Sequence, residues 1–346
     1  MSNSIIFNSV YVLGSSTVAG LIEKQGPLGE YFDNTYNDLY CGCKTFEQAE
    51  QKMLKEAIEV VFRKTKVRDK DIDIMFGGDL LNQITSSTYV ARDYCIPLIG
   101  TFGACSSSML TLALASSYVE AGFAKCSLAF TSSHNATAER QFRYPLEYGI
   151  QKPDTTTYTA TGAGAIIVGN KESDIKVTSA TIGEVTDYEF NDPNNMGVAM
   201  APAAYKTLKQ HFKDLNREPN YYDLILTGDL STYGKRIILE LFKKDNIELS
   251  NYDDCGLILY DRVKQNVFAG GSGCACCALT TYSYILDKMR KKELKKVLIV
   301  ATGALLSPTL IQQKESIPCI AHAVSLEVVE WLVTYYLLLY VALYVR

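Results

Sequence analysis

The feature that most constrains the fold is an internal repeat of 31 residues. GACSSSMLTLALASSYVEAGFAKCSLAFTSS (103–133) aligns without a gap with GCACCALTTYSYILDKMRKKELKKVLIVATG (273–303). Each copy has a glycine followed shortly by a cysteine, then a segment of helical length, a basic residue and a short run of strand-forming residues. A chain with such a repeat is expected to contain two similar halves.

A second match lies upstream of each copy. IMFGGDLL (74–81) and LILTGDLS (224–231) both have the pattern of an apolar strand that ends in Gly-Asp-Leu. A helical pattern also precedes each Gly-Cys segment, at 46–65 in the first half and at 234–246 in the second, and we take these two helices as counterparts. Strands that alternate with helices predict parallel pairing, with helices covering the sheet faces.

The repeat therefore predicts an α/β fold with five layers, α/β/α/β/α, made of two pseudo-duplicated halves. We expect the halves at residues 1–170 and 171–327, followed by a tail at 328–346. Within them, 132–169 is predicted to be a loop-rich insertion that ends in the small-residue strand TGAGAIIVG, and 187–204 a loop leading into a helix. Long ordered loops in a compact α/β protein usually line a site.

Charge and cysteine content disfavour several classes of protein. The 346 residues carry a net charge of −4, whereas nucleic-acid-binding proteins are usually basic. The N-terminal sequence lacks the basic and apolar regions of a secretory signal, so we expect the ten cysteines to be free thiols in a reducing compartment. The CGC and CACC spacings differ from those of zinc sites, and we predict neither a metal nor a cofactor.

The tail VVEWLVTYYLLLYVALYVR (328–346) is almost wholly apolar. As a helix it would span about 27 Å, close to the ~30 Å hydrocarbon core of a bilayer. Three interpretations stay open: a membrane-associating segment, a buried terminal element, or a segment foreign to the fold.

Cys105 stands between the glycine-rich turn and the apolar helical pattern of the first copy. At a helix N-terminus, unpaired backbone N–H groups and the helix dipole stabilise a thiolate, and the same groups can bind an anion. Cys105 is therefore a candidate nucleophile, a candidate pocket residue, or a small buried side chain. The helix is apolar on nearly all sides and is expected to be buried and to end near Gly122.

Several motifs are more specific than a lone cysteine. They are GGDLLNQ (77–83), GACSSS (103–108), SHNATAERQFRYP (133–145), YGIQKPDTTTYTATGAGA (148–165), DPNNMGVAMAPAA (192–204), AGGSGCACCA (269–278) and ATGALLSPTLIQQKESIPCIAHAVSLE (301–327). Through these motifs, residues 5–327 resemble the stage V sporulation protein AD family of the thiolase-like superfamily. The tail after Glu327 lies beyond that pattern.

The resemblance implies a thiolase fold, a homodimer, and a role in spore-forming bacteria together with the other stage V A sporulation proteins. These proteins move dipicolinic acid, with calcium, from the mother cell into the developing spore. The resemblance implies that the AD protein binds dipicolinic acid without turning it over. The implied location is the cytoplasmic face of the spore or forespore membrane, as a peripheral protein.

Acyl transfer of the thiolase type requires a base for the thiol and a group that stabilises the oxyanion or enolate. Thiolases carry a Gly-His-Pro motif and ketoacyl synthases a histidine with asparagine or a second histidine, and this chain lacks both patterns. His134, at the start of a loop, is the candidate base, whereas His211 is expected on an exposed helix and His322 in the core or a pocket wall. An acyltransferase that uses Cys105 is therefore one alternative function, and a structural scaffold for the membrane channel proteins is another.

A site for a dicarboxylate needs hydrogen-bond donors, cations and an aromatic wall. We predict that RQFRY is extended, with Arg140 and Arg143 interleaved with aromatic residues; the alternative is an ion pair with Glu139 or Glu147 at a surface or dimer interface. The predicted ligand-binding residues are Cys105, Ser106, Ser107, His134, Arg140, Arg143, Lys152 and His322.

Two aspartates end the equivalent strands of the two halves. Asp79 and Asp229 both stand in Gly-Asp-Leu. We expect each to cap the helical turn that follows it, and a metal or calcium contact is the alternative.

Overall fold

The two copies of the repeat belong to two half-sheets with the same strand order. The computed structural model describes residues 2–143 and 149–330. The strands are β1 (Ser4–Ile6), β2 (Tyr11–Ala19), β3 (Asn34–Thr35), β4 (Ile74–Gly78), β5 (Leu98–Gly100), β6 (Cys126–Ser133), β7 (Tyr158–Thr159), β8 (Gly162–Gly169), β9 (Ile175–Ile182), β10 (Leu224–Thr227), β11 (Tyr252–Asp254), β12 (Gly271–Ser272), β13 (Lys296–Ala304) and β14 (Cys319–Val328). The helices are α1 (Leu21–Lys24), α2 (Phe46–Thr65), α3 (Thr85–Ala91), α4 (Ser107–Glu120), α5 (Asn135–Phe142), α6 (Met196–Leu215), α7 (Ser231–Lys244), α8 (Cys255–Ile258), α9 (Cys274–Leu279), α10 (Leu286–Arg290) and α11 (Pro308–Gln312), with a π-helical turn (Thr280–Ile285) between α9 and α10.

Each half-sheet combines parallel and antiparallel strands. The order is β5-β4-β6-β8-β2 in the first half and β11-β10-β13-β14-β9 in the second, and a pairing of Tyr11 with Lys176 joins β2 to β9. The three outer strands of each half are parallel, as predicted, but β8 and β14 run antiparallel to their neighbours. The reason is that the chain returns at the same end of the sheet: Gly162 at the start of β8 pairs with Ser133 at the end of β6.

Helices form the three remaining layers. α2 and α3 cover the outer face of the first half-sheet, α6 and α7 cover that of the second, and α4, α9 and α10 lie between the half-sheets. Because α4 contacts strands of both halves, it buries side chains on nearly all sides, among them Met109, Leu112 and Ala115. The five-layer architecture predicted from the repeat is confirmed.

Both predicted helices are present, but they are not counterparts of each other. The helix predicted over 46–65 is α2 with those bounds, and the Thr45 hydroxyl caps it by accepting a hydrogen bond from the backbone N–H of Gln48 (3.2 Å). The predicted equivalence of α2 with 234–246 is wrong. That segment belongs to α7, which follows β10 as α3 follows β4, and the counterpart of α2 is α6, which precedes β10.

The insertion at 132–169 is less loop-like than predicted. It contains the helix α5, and it ends in β8, the predicted small-residue strand. Gly164 in β8 faces the middle helical layer, where a Cβ would lie 2.8 Å from the ring of Tyr282. A small residue is therefore needed here for the strand and the helices to pack closely.

The two halves meet at equivalent positions of the repeat. A Cβ on Gly303, at the end of β13, would lie 2.2 Å from the carbonyl oxygen of Gly103 in the turn before α4. In the other direction, a Cβ on Gly273, in the turn before α9, would lie 2.8 Å from the hydroxyl oxygen of Ser133 at the end of β6. Each turn thus packs against a strand end of the opposite half, at a spacing that leaves no room for a side chain on the glycine.

The chain leaves the second half-sheet at the end of β14. Glu330, just beyond it, forms an ion pair with Lys295 (2.9 Å). The remainder of the apolar tail, 331–346, lies outside the described residues, as does the segment 144–148. Among the described residues, no helix is both long and apolar enough to span a bilayer.

A buried carboxylate lies between α2 and the first half-sheet. Glu50 is fully buried, and its two oxygens accept hydrogen bonds from the hydroxyls of Ser132 (2.9 Å) and Thr137 (3.0 Å). Burial, followed by the charge of the neighbouring Asp79, raises the pKa of Glu50 from 4.5 to about 8. Between these values the folded state holds a proton that the unfolded state has lost, so stability falls as the pH rises.

We expect Glu50→Gln to reduce the pH dependence of stability. Glu50 lowers the free energy of unfolding by at most about 1.4 kcal/mol per pH unit between about pH 5 and pH 8. The glutamine amide does not ionise, so the variant should lose less stability over this range. Urea unfolding of both proteins at several pH values measures the difference, and equal slopes would contradict the prediction.

We expect Gly303→Ala to destabilise the protein by about 1–3 kcal/mol, because the added methyl group overpacks the contact with the Gly103 carbonyl. It should also loosen the turn that carries Cys105 and expose that thiol to alkylation. Gly122→Ala is the matched control: Gly122 has φ of +73° but nothing within 4 Å of a Cβ, so only backbone strain is added. Denaturant unfolding and thiol labelling measure both effects, and a Gly303→Ala protein that matches the wild type in both would contradict the prediction.

Candidate functional site

Cys105 lies in the wall of a small cavity, in the turn that precedes α4. Within this turn Ala104 adopts a left-handed conformation with φ of +49°, and the helix begins two residues after the cysteine, at Ser107. Gly303 of the opposite half packs against the same turn. Cys105 is 7% exposed, so the cavity is the place where its thiol can meet another molecule.

The cavity at Cys105 is narrow and mainly apolar. Its volume is about 30 Å³, and it adjoins an outer cavity of about 180 Å³; Phe142, Arg143 and Leu306 line both. The inner cavity is otherwise lined by the apolar Leu80, Phe102, Ala104, Ala138, Met196 and Ala304 and by Cys105, Thr159 and Ser272. The outer cavity is otherwise lined by Pro193, Asn194, Pro308, Ile311 and Gln312.

A chain of polar groups leads from the thiol into the second half. Cys105 Sγ lies 3.8 Å from Ser272 Oγ, and the Ser272 hydroxyl donates to Asp229 Oδ2 (3.0 Å). Asp229 also accepts from the backbone N–H of Gly273 and from the hydroxyl of Thr302. Because these donors converge on the carboxylate, the single hydroxyl proton of Ser272 is committed to Asp229.

The thiol of Cys105 is held neutral. Burial raises its pKa well above the ordinary value of 9.0, and the negative charge of Asp229 adds to the effect. The stabilisation expected from the helix N-terminus is therefore outweighed. A buried thiol beside a carboxylate is a poor nucleophile at neutral pH.

The two equivalent aspartates have different roles. Asp79 accepts hydrogen bonds from the backbone N–H groups of Leu81 and Ser87, which confirms the predicted cap in the first half. For Asp229 the predicted cap is wrong. Asp254 caps α7 instead, by accepting from the backbone N–H groups at the start of that helix, and this leaves Asp229 to bond Ser272.

The structure places the histidines away from the thiol. His134 is the N-cap of α5: its Nδ1 accepts from the backbone N–H of Ala136, and its Nε2 lies 2.8 Å from the carbonyl oxygen of Leu39. Both ring nitrogens of His134, the candidate base, are therefore engaged by backbone groups. His211, expected on the surface, is fully buried and bonded to Thr181 and Tyr222.

His322 lies on β14, where its Nδ1 accepts from the backbone N–H of Gly183 (3.3 Å). Burial lowers its pKa to about 4, so the ring is neutral at physiological pH. All three histidines of the chain are among the described residues, and none of them lines the inner cavity.

The predicted serine donors turn away from the cavity. The hydroxyl of Ser106 donates to the carbonyl of Gly103 (2.6 Å), and that of Ser107 donates to the carbonyl of Ala104 (2.8 Å). Both side chains are fully buried and stabilise the turn itself. Their role in the structure is to hold Cys105 in position.

Within the segment predicted to be extended, residues 140–142 belong to the helix α5, and the two arginines have different partners. Arg140 lies over the ring of Phe46, with 5.0 Å between the guanidinium carbon and the ring centre. Arg143, just after α5, lines both cavities and pairs with Glu139 (2.6 Å), a partner that the ion-pair alternative named, but the pair is buried rather than on the surface. Lys152 pairs with the same carboxylate (2.9 Å).

Sequence reasoning missed Ser272 and misjudged Asp229. Ser272 lies in β12, one residue before the second copy of the repeat, so the repeat indicated its neighbourhood but not the residue itself. No local pattern could have identified the exchange of capping roles between Asp229 and Asp254, because it depends on side chains 25 residues apart.

Among the described residues, no histidine lines the cavity to act as a base for the thiol. Ser272 and Asp229 hold the thiol proton in place, and Arg143, which pairs with Glu139, is the one cationic side chain among the described residues that line the cavity. The arrangement suits the binding of a small anion with an apolar body better than acyl transfer.

Solved structures share this fold. The 3-oxoacyl-(acyl-carrier-protein) synthase III of Aquifex aeolicus superposes with a TM-score of 0.58 at 13% identity, over 92% of this chain and 99% of that one. A variant of OleA from Xanthomonas campestris gives 0.59 at 13% identity, over 93% and 99%. At this identity the similarity concerns the fold alone.

Sequence comparison is more specific. The family model of stage V sporulation protein AD matches residues 2–327, which ends where the resemblance seen in the motifs ends. The stage V sporulation protein AD of Bacillus subtilis (strain 168) is 54% identical over 319 residues, which cover 92% of this chain and 94% of that protein. The chain belongs to the stage V sporulation protein AD family, and its role lies in sporulation.

Proposed function

We propose that this protein binds dipicolinate, without turning it over, in the crevice formed by the cavities at Cys105 and Arg143. The observation that carries the proposal is a mainly apolar cavity lined, where it adjoins the outer cavity, by the buried Arg143, whose partner Glu139 also pairs with Lys152. In this proposal the protein is a homodimer at the cytoplasmic face of the forespore membrane. It works with the other stage V A proteins in the uptake of dipicolinate, with calcium.

The charges at the junction support binding of an anion. Arg143 and Lys152 both pair with Glu139, so the three side chains together carry one positive charge. Arg143 is almost fully buried and also donates to the carbonyl of Thr157 (3.1 Å). A buried guanidinium held in place by such contacts is well suited to bind a carboxylate.

The walls of the crevice support binding of a flat ring. Phe142 and Leu306 line both cavities, and Met196 lines the inner one. These side chains come from three separate segments, and they enclose the space from different sides. Dipicolinate, an aromatic ring with two carboxylates, matches an apolar slot with a cation at its edge.

We expect dipicolinate to bind the wild-type protein saturably and Arg143→Ala to weaken binding by about ten- to a hundredfold, the cost of losing a charged hydrogen bond. Cys105→Ala should weaken binding by less, because it removes only a wall contact. The control is Arg68→Ala, which removes a surface arginine paired with Asp71. Isothermal titration calorimetry measures all four proteins, and the absence of binding to folded wild-type protein, with and without calcium, would refute the proposal.

We expect the Cys105 thiol to react slowly with alkylating and acylating reagents. At about pH 8, iodoacetamide should label the exposed Cys95 before Cys105, and acyl-coenzyme A should leave no adduct on Cys105. Asp229→Asn removes a charge that raises the pKa of Cys105, so it should speed labelling there by roughly tenfold. Mass spectrometry of the labelled peptides measures this, and an acyl adduct on Cys105 would favour the acyltransferase alternative.

A further inference from the structure

The inner and outer cavities that form the crevice differ in volume. The inner cavity measures about 30 Å³, room for roughly two water molecules. The adjoining outer cavity measures about 180 Å³. A ring can therefore reach Cys105 only with its narrow edge, while the bulk of a ligand stays near Arg143.

The inner cavity also differs from the outer cavity in polarity. The proton of Ser272 is committed to Asp229, and the neutral thiol of Cys105 can donate to the Ser272 oxygen 3.8 Å away. The groups that Cys105 and Ser272 then present to the cavity are lone pairs, which repel a carboxylate. Ala104, Ala138 and Ala304 provide much of the remaining surface there.

Arg143 is the cationic side chain that lines both cavities. Arg143 is at the junction with the outer cavity, and Glu139 links it to Lys152. The Arg143 guanidinium is the charged group that a ligand carboxylate can meet without entering the narrow part.

Dipicolinate has the same asymmetry. Its two carboxylates flank the ring nitrogen on one edge, and the opposite edge consists of three C–H groups. We propose that the ring enters the crevice with the C–H edge directed at Cys105 and with both carboxylates at the Arg143 side. This inference rests on the proposed function and specifies the orientation of the ligand in the same site.

The orientation has a consequence for calcium. The ring nitrogen and both carboxylates, which form the chelating edge of the ligand, lie toward the outer cavity. A calcium ion on that edge would not have to pass the narrow inner wall. Cys105 then acts as a specificity-determining residue. Its side chain limits the size of a substituent on the ligand ring carbon that lies opposite the ring nitrogen.

The test compares dipicolinate with an analogue that carries chlorine opposite the ring nitrogen. Wild-type full-length protein should bind the analogue at least about tenfold more weakly, because the chlorine overpacks the space at Cys105. Cys105→Ala makes room for the chlorine, so the affinities of the variant for the two ligands should differ by no more than about threefold. Cys105→Ser, which preserves the size of the side chain, should still discriminate against the analogue.

Cys255→Ala is the matched control, since it truncates another buried cysteine, at the start of α8. It should leave the ratio of the two affinities as in the wild type. Equal binding of both ligands to the wild type, together with weaker dipicolinate binding by Arg143→Ala, would overturn the orientation and retain the proposed function. Failure of dipicolinate itself to bind would overturn both.

Discussion

The close packing of each glycine turn against a strand of the opposite half is the contact on which the rest of the structure depends. Gly303 meets the carbonyl of Gly103, and Gly273 meets the hydroxyl of Ser133, at distances that leave no space for a Cβ. The contacts fix α4 and α9 between the half-sheets. They also shape the wall of the cavity, because Cys105 lies in the first turn and Ser272 directly precedes the second.

Duplication lets equivalent residues serve different purposes. In the first half Asp79 caps its own helix, and in the second half Asp254 takes over this role. Asp229 is thereby available to bind Ser272 and Thr302, which it could not do while capping α7. The two halves share one fold, but the site is asymmetric because Asp254, on the neighbouring strand, caps α7 in place of Asp229.

The sequence predicted what repeats or alternates along the chain. The bounds of α2, the small-residue strand β8 and the five layers follow from local periodicity and from the 31-residue repeat. It did not predict the partners of buried polar groups. His134 caps a helix, Arg140 lies over Phe46 and Arg143 pairs with Glu139, and these contacts depend on burial and on neighbours that periodicity does not encode.

Cys105 shows why a fold does not determine a function. Its position before a buried helix is one that activates thiols when a base is near and solvent or charge stabilises the thiolate. Here burial and the charge of Asp229 both oppose ionisation, and the three histidines serve the packing of other segments. The side chain that would be a nucleophile elsewhere becomes part of a cavity wall, where its size and the direction of its proton decide what can bind.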